Sequence, residues 1–167
     1  MDAHQVVLLN GPAAVGKSTV GRRLARTARN GVCIGGAELR EMVVSAQPGT
    51  VRQSLTYVAG AALADVFLAA GYELVVFEFD FSQPRHVERF SRELRSAAPV
   101  ALVTLWAPLG VTLARDRARP PQDRLGDGAV TASWAEMEAH LSELGPVVDA
   151  DAPVAQIVES VLAALAV

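Results

Sequence analysis

Cysteine occurs once in these 167 residues, at Cys33, so no internal disulfide is available and a reducing compartment fits. Cys33 itself reads as a buried core thiol. An excess of positive charge is also missing. Fifteen Lys and Arg against eighteen Asp and Glu leave a formal net charge of −3, which argues against nucleic acid as a partner. No apolar run has the roughly 20 residues a membrane span needs. Met1-Asp2-Ala3-His4 carries neither a basic n-region nor a cleavage pattern, so the expected location is the cytoplasm. Asparagine stands only at Asn10 and Asn30, neither followed by lysine, which removes the N-K-x-D base-reading motif of a switch GTPase. Asp123-Arg124-Leu125-Gly126 matches D-x-x-G only by chance, since no strand precedes it. An AAA+ motor is excluded by length and by the lack of an aliphatic strand ending in Asp-Glu. His4, His86 and His140 are scattered without ligand spacing and are assigned no role, and Trp106 and Trp134 read as packing residues. Without a repeat, linker or low-complexity segment, one domain over residues 1–167 is the expectation.

What the chain does have is concentrated at residues 6 to 19. Val6-Val7-Leu8-Leu9-Asn10 reads as a buried strand, and it breaks into Gly11-Pro12-Ala13-Ala14-Val15-Gly16-Lys17-Ser18-Thr19. A helical pattern begins at once, so G-x-x-x-x-G-K-S stands between strand and helix, the context a phosphate-binding loop requires. Gly11 and Gly16 allow turns and close approach that a side chain would block. Backbone N–H groups then form an anion nest at a helix N-terminus. Lys17 carries the charge for the β- and γ-phosphates of a nucleotide such as ATP, and the Ser18 hydroxyl suits Mg²⁺.

Downstream, strand and helix patterns alternate. Val20, Leu24, Ala25 and Ala28 keep helical spacing, with Arg22, Arg23, Arg26 and Arg29 on the other face and Asn30-Gly31 as the stop. Val32-Cys33-Ile34 is a second strand, followed by a helix through Glu38, Leu39 and Met42 that halts before Pro48-Gly49. Thr50 and Gln53 form a capping box for a long helix with Leu55, Val58, Ala62, Leu63, Val66 and Phe67 on its inner side, closed by Gly71. Leu74 to Phe81 is a third strand, apolar on both faces until its carboxyl end, where Glu78 and Asp80 share one face. Pro84 starts a helix through Val87, Phe90 and Leu94, and Val100 to Trp106 is the fourth strand. Pro108 opens a helix running into Arg115, Arg117, Arg119, Pro120-Pro121 and Arg124. Ser133 and Glu136 read as a capping box for a helix ending near Gly145. Val147-Val148-Asp149 is a fifth strand, and Asp151 and Pro153 open a last helix with Ile157, Val161, Leu162 and Leu165 inward. Five parallel strands with helices on both faces, a three-layer α/β fold, follow from that alternation.

The P-loop, the acidic strand end and the Arg-rich segment together resemble the small P-loop kinases, above all the chloramphenicol phosphotransferase-like group. Shikimate, gluconate and zeta-toxin kinases are similar at a greater remove. The resemblance spans nearly the whole chain. It implies an ATP- and Mg²⁺-dependent kinase acting on a hydroxyl of a small molecule such as an antibiotic. It also implies that Arg115, Arg119 and Arg124 belong to a lid over ATP, about residues 115–128, with prolines and glycines as hinges. One position departs from the pattern: the group's proton-accepting Asp after the second strand corresponds to Ala37, with Glu38 beside it. The metal post then falls to Asp80 with Ser18, and the base to Glu78, with Glu38 as the alternative. Ala37 also keeps a rival reading open, a regulatory protein that binds nucleotide without catalysis.

Overall fold

The computed structural model describes residues 5–44 and 53–166. His4, the Pro48-Gly49 stop and the Thr50 half of the expected capping box lie outside them. Five strands form one all-parallel sheet: β1 (Gln5–Asn10), β2 (Gly31–Gly35), β3 (Leu74–Glu78), β4 (Val100–Trp106) and β5 (Val147–Asp149), in the order β2-β3-β1-β4-β5. Seven α-helices are present among the described residues: α1 (Lys17–Ala25), α2 (Gly36–Glu41), α3 (Gln53–Ala69), α4 (Pro84–Glu93), α5 (Leu109–Arg117), α6 (Asp127–Glu138) and α7 (Val154–Leu165). None of them is long and apolar enough to cross a membrane.

The three layers follow from strand alternation. Val7 and Leu9 of β1, with Leu74 and Val76 of β3, face one core that includes Val20 and Leu24 of α1 and Ile157 and Val161 of α7. Val6, Leu8, Val75 and Phe77 face the other, against Tyr57, Ala61 and Ala64 of α3 and Phe90 of α4. Most of the aromatic side chains gather on that second side, where Phe77 and Phe90 stack at 5.2 Å between centroids and Tyr57 lies 5.1 Å from Phe81. Such pairs add to area burial by about 0.5–1.5 kcal/mol each.

Four local expectations are corrected. Helix α1 stops at Ala25, short of Asn30-Gly31, because the Thr27 hydroxyl and N–H both turn back to Leu24 O. On α3 the buried side is Thr56, Tyr57, Gly60, Ala61, Ala64 and Leu68, whereas Leu55 is 56% and Val66 62% exposed. That helix is apolar nearly all round, so periodicity had little contrast to read; the small residues face the aromatic side of the sheet. Helix α6 begins at Asp127, after Gly126 at φ +87°, so Ser133 and Glu136 stand inside it and cap nothing. Strand β3 ends at Glu78, and residues 79–81 continue beyond the sheet.

That extension is held by Asn10, fully buried at the end of β1. Its amide nitrogen donates to Phe81 O at 3.1 Å and to Thr104 Oγ1 at 3.0 Å, and its carbonyl oxygen accepts from Phe81 N at 2.8 Å. Thr104 Oγ1 donates in turn to Leu144 O at 2.6 Å. Truncation leaves the N–H and carbonyl of Phe81 buried without partners, each worth about 1–3 kcal/mol when orphaned. Asn10→Ala is therefore expected to lose about 3 kcal/mol of unfolding free energy in urea titration. A loss below about 1 kcal/mol would show that water replaces the amide there.

Candidate active site

The carboxyl ends of a parallel sheet are where its ligands bind, and the loop leaving β1 is shaped for an anion. Gly11 sits at φ +149°, and a Cβ there would lie 2.6 Å from Leu105 O and 2.8 Å from Val15 Cγ1. Ala14 and Gly16 also take positive φ, at +61° and +110°. A non-glycine residue held at positive φ stores strain that surrounding contacts must impose. Those contacts come from distant elements. Arg115 of α5 donates from Nη1 to Val15 O and from Nη2 to Ala150 O, both at 2.8 Å. Ser133 of α6 accepts the Ala13 N–H at 2.9 Å.

Inside the loop, Lys17 Nζ donates to Gly11 O at 2.7 Å, to Pro12 O at 3.1 Å and to Asp80 Oδ1 at 2.5 Å. Ser18 Oγ donates to Glu78 Oε1 at 2.6 Å. Both acids of the strand end meet the P-loop: Glu78, expected as the base, touches Ser18, and Asp80, expected at the metal, touches Lys17. Strand position alone does not say which acid meets which residue of α1. Burial pushes the Glu78 carboxyl above the usual range, and nearby Lys17 and the Ser18 hydrogen bond partly offset that.

The Arg-rich segment folds as a loop with a fixed base. Asp116, 1% exposed, accepts the backbone N–H groups of Leu125 at 3.1 Å and Gly126 at 2.9 Å. The Leu125 N–H is the main cause holding its carboxyl below the usual range. Arg117 pairs with Asp127 at the start of α6. Between these anchors, Arg124 Nε donates to Arg119 O at 2.9 Å. Arg119 joins Ala14, Gly16, Lys17, Ser18 and Thr19 around a recess of about 100 Å³. This opens beside a cavity of about 760 Å³ walled by the P-loop, by Glu78 to Asp80, by the loop 122–125 with Arg119, and by Ala37, Arg40 and Glu41 of α2.

Lys17, Ser18, Glu78, Asp80, Arg119 and Arg124 are thus brought together. Arg115 is not among them; it is a strut behind the loop. Glu38 is turned to Arg22, 3.2 Å away. Arg40, Glu41 and Asp116 went unread in the sequence, and Ser133 was read there only as a helix cap. The spacing of Ala37, Arg40 and Glu41 at i, i+3 and i+4 was the available signal for the first two.

The description "AAA domain" belongs to the family model that matches residues 6–144. A search of curated proteins finds no match. Among solved structures, a gluconokinase from Sinorhizobium meliloti is 21% identical with a TM-score of 0.72, over 97% of this chain and 91% of its own. A tunicamycin resistance protein from Deinococcus radiodurans is 17% identical with a TM-score of 0.70, over 98% and 96%. A shikimate kinase from Aquifex aeolicus is 15% identical with a TM-score of 0.66, over 97% and 96%. The shared architecture is the P-loop kinase-like fold.

Because the Glu78 carboxyl is raised, its ionised form costs stability. The native state binds the proton more tightly than the unfolded chain, so stability falls as pH rises from the ordinary carboxylate range through the raised value. Glu78→Gln is expected to melt higher than wild type at pH 7, with the gain disappearing as pH is lowered below the ordinary carboxylate range. A lower melting temperature at pH 7 would mean that the Lys17 and Ser18 contacts outweigh burial.

Proposed function

The chain belongs to the AAA domain family, and from that premise we propose that it is an ATP-dependent kinase that phosphorylates a hydroxyl of a small molecule. The observation that carries the proposal is the meeting of Lys17, Ser18 and Arg119 around a phosphate-sized recess that shares these residues with a much larger cavity beside it. The recess suits the γ-phosphate, and the cavity has the size of a small-molecule site. Phosphoryl transfer asks mainly for positioning and charge neutralisation. Lys17 leaves Asp80 for the phosphates, and Arg119 and Arg124 neutralise charge that spreads over the transferred group. Residues 118–124, between the Asp116 and Asp127 anchors, are the part of the lid that orders on nucleotide.

The residues present fit Mg²⁺. Ser18 Oγ and Glu78 Oε1 are hard oxygens 2.6 Å apart, with Asp80 on the same side. No group of three metal-ligating His, Cys, Asp or Glu exists among the described residues. That agrees with an ion whose shell is completed by phosphates and water. Bound there, Mg²⁺ would neutralise phosphate charge. Ser18 and Glu78 would hold it, with Asp80 taking up a place once Lys17 moves.

An antibiotic or another hydroxyl-bearing metabolite is the proposed acceptor, supported by the likeness to the tunicamycin resistance protein. The cytoplasm is the proposed setting. A second reading, a nucleotide-binding regulator without catalysis, is favoured by Ala37 in the cavity wall. Mg·ATP hydrolysis discriminates the two: slow release of phosphate is expected of the kinase and none of the regulator.

Lys17→Ala is expected to abolish the Mg·ATP-induced melting shift, since a ligand that binds only the native state stabilises it by mass action. An unchanged shift would remove Lys17 from the phosphate site. Arg119→Ala is expected to lower turnover far more than ADP affinity, the mark of a contact that strengthens in the transition state. Equal losses in both would make Arg119 a ground-state binding residue.

A further inference from the structure

Among the described residues the walls of the large cavity carry four carboxylates, and two of them have side-chain partners. Glu78 is bonded to Ser18 and Asp80 to Lys17, so both face the phosphates and metal. The Asp123 side chain has no hydrogen bond or ion pair with the described residues, but it stands in the turn Pro121–Asp123 on the arginine-bearing loop, across the cavity from α2. Glu41 is the fourth. It ends α2, is exposed, lines the cavity, and its side chain makes no hydrogen bond or ion pair with the described residues. Glu38, next to Ala37 in sequence, is paired with Arg22 and is not part of the cavity wall.

Helix geometry explains why Glu41 and not Glu38 shares the wall with Ala37. One residue along a helix turns a side chain by about 100°, whereas four residues return it to within about 40° of the same direction. Side chains on a helix also lean toward its N-terminus, so a residue at i+4 covers surface above residue i. Glu41 therefore leans back over Ala37, whose methyl group leaves that space open. Its longer side chain offsets part of the distance of one turn.

We propose that Glu41 is the general base of the phosphoryl transfer, an assignment that rests on the kinase reading above. The Glu41 carboxylate takes the proton of the acceptor hydroxyl as the new bond forms between that oxygen and the γ-phosphorus. The bond from the γ-phosphorus to the β–γ bridging oxygen breaks, and ADP leaves with that electron pair. The proton on Glu41 then passes to water. No further reactant is required.

The test uses the full chain with Mg·ATP, water serving as acceptor in the same cavity, and follows phosphate release. Glu41→Gln is expected to lower the rate by about 10²–10⁴-fold while the Mg·ATP-induced melting shift persists. In Glu41→Ala, added formate should restore part of the rate, and so should the second substitution Ala37→Asp, which returns a carboxylate to the same helix face. A purely structural role for Glu41 would show neither rescue. A Glu41→Gln protein as active as wild type would overturn the assignment, as would loss of activity in Asp123→Asn with Glu41→Gln still active. Wild-type protein that binds Mg·ATP but releases no phosphate would instead overturn the kinase reading itself, and the base with it.

Discussion

The relation between the phosphate loop and its acids depends on one buried side chain. Asn10 ends β1, the strand that launches the P-loop, and it grips both the N–H and the carbonyl of Phe81, one residue past Asp80. Beyond Glu78 one backbone bond to β1 continues, from Phe79 N–H to Leu9 O at 3.3 Å, and the Asn10 amide then acts as the partner of Phe81. The same nitrogen bonds Thr104 on β4, and Thr104 bonds Leu144 ahead of β5. Ends of strands that meet only through tertiary structure are thereby fixed to one another. In a fully buried position each of these bonds is costly to leave unmade, which makes the arrangement specific.

From that frame the charges of the site pair with one another. Lys17 is the only lysine in the chain, and it is held by Asp80 and two loop carbonyls. Glu78 is buried against the Ser18 hydroxyl. Removing these charges from water costs free energy that only partners or a ligand return. The raised Glu78 carboxyl is the visible sign of it.

Support for the site comes from elements well separated in sequence. Arg115 reaches the loop from 100 residues away and Ser133 from 120. Helix α6 also meets the segment after β3, where Ser82 Oγ donates to Glu136 Oε1 at 2.8 Å. Thus the two residues that looked in sequence like a helix cap are braces between the P-loop and the acid-bearing strand. Their spacing of three put both on one face of α6, and a capping box uses the same spacing. The sequence pattern was real, but its cause was tertiary.

Local physical demands determined a good deal in advance. The strand–G-x-x-x-x-G-K-S–helix unit was legible because its backbone turns and apolar run are short-range requirements. Strand order in the chain, the Glu78 and Asp80 face and the parallel α/β class followed from periodicity. On α3, where apolar residues surround the helix, periodicity had nothing to distinguish, and the buried face was decided by the small residues that fit against the sheet. Contacts across the fold were likewise beyond it. Ser18 meets Glu78 across 60 residues and Lys17 meets Asp80 across 63, and no local propensity encodes which acid takes which partner. Arg115 shows the same limit: its place in an Arg-rich pattern suggested a lid, but a side chain's direction depends on what packs around its helix. The sequence by itself determined where the P-loop stands, because that loop is built from neighbours; only tertiary structure decided which distant side chains face it.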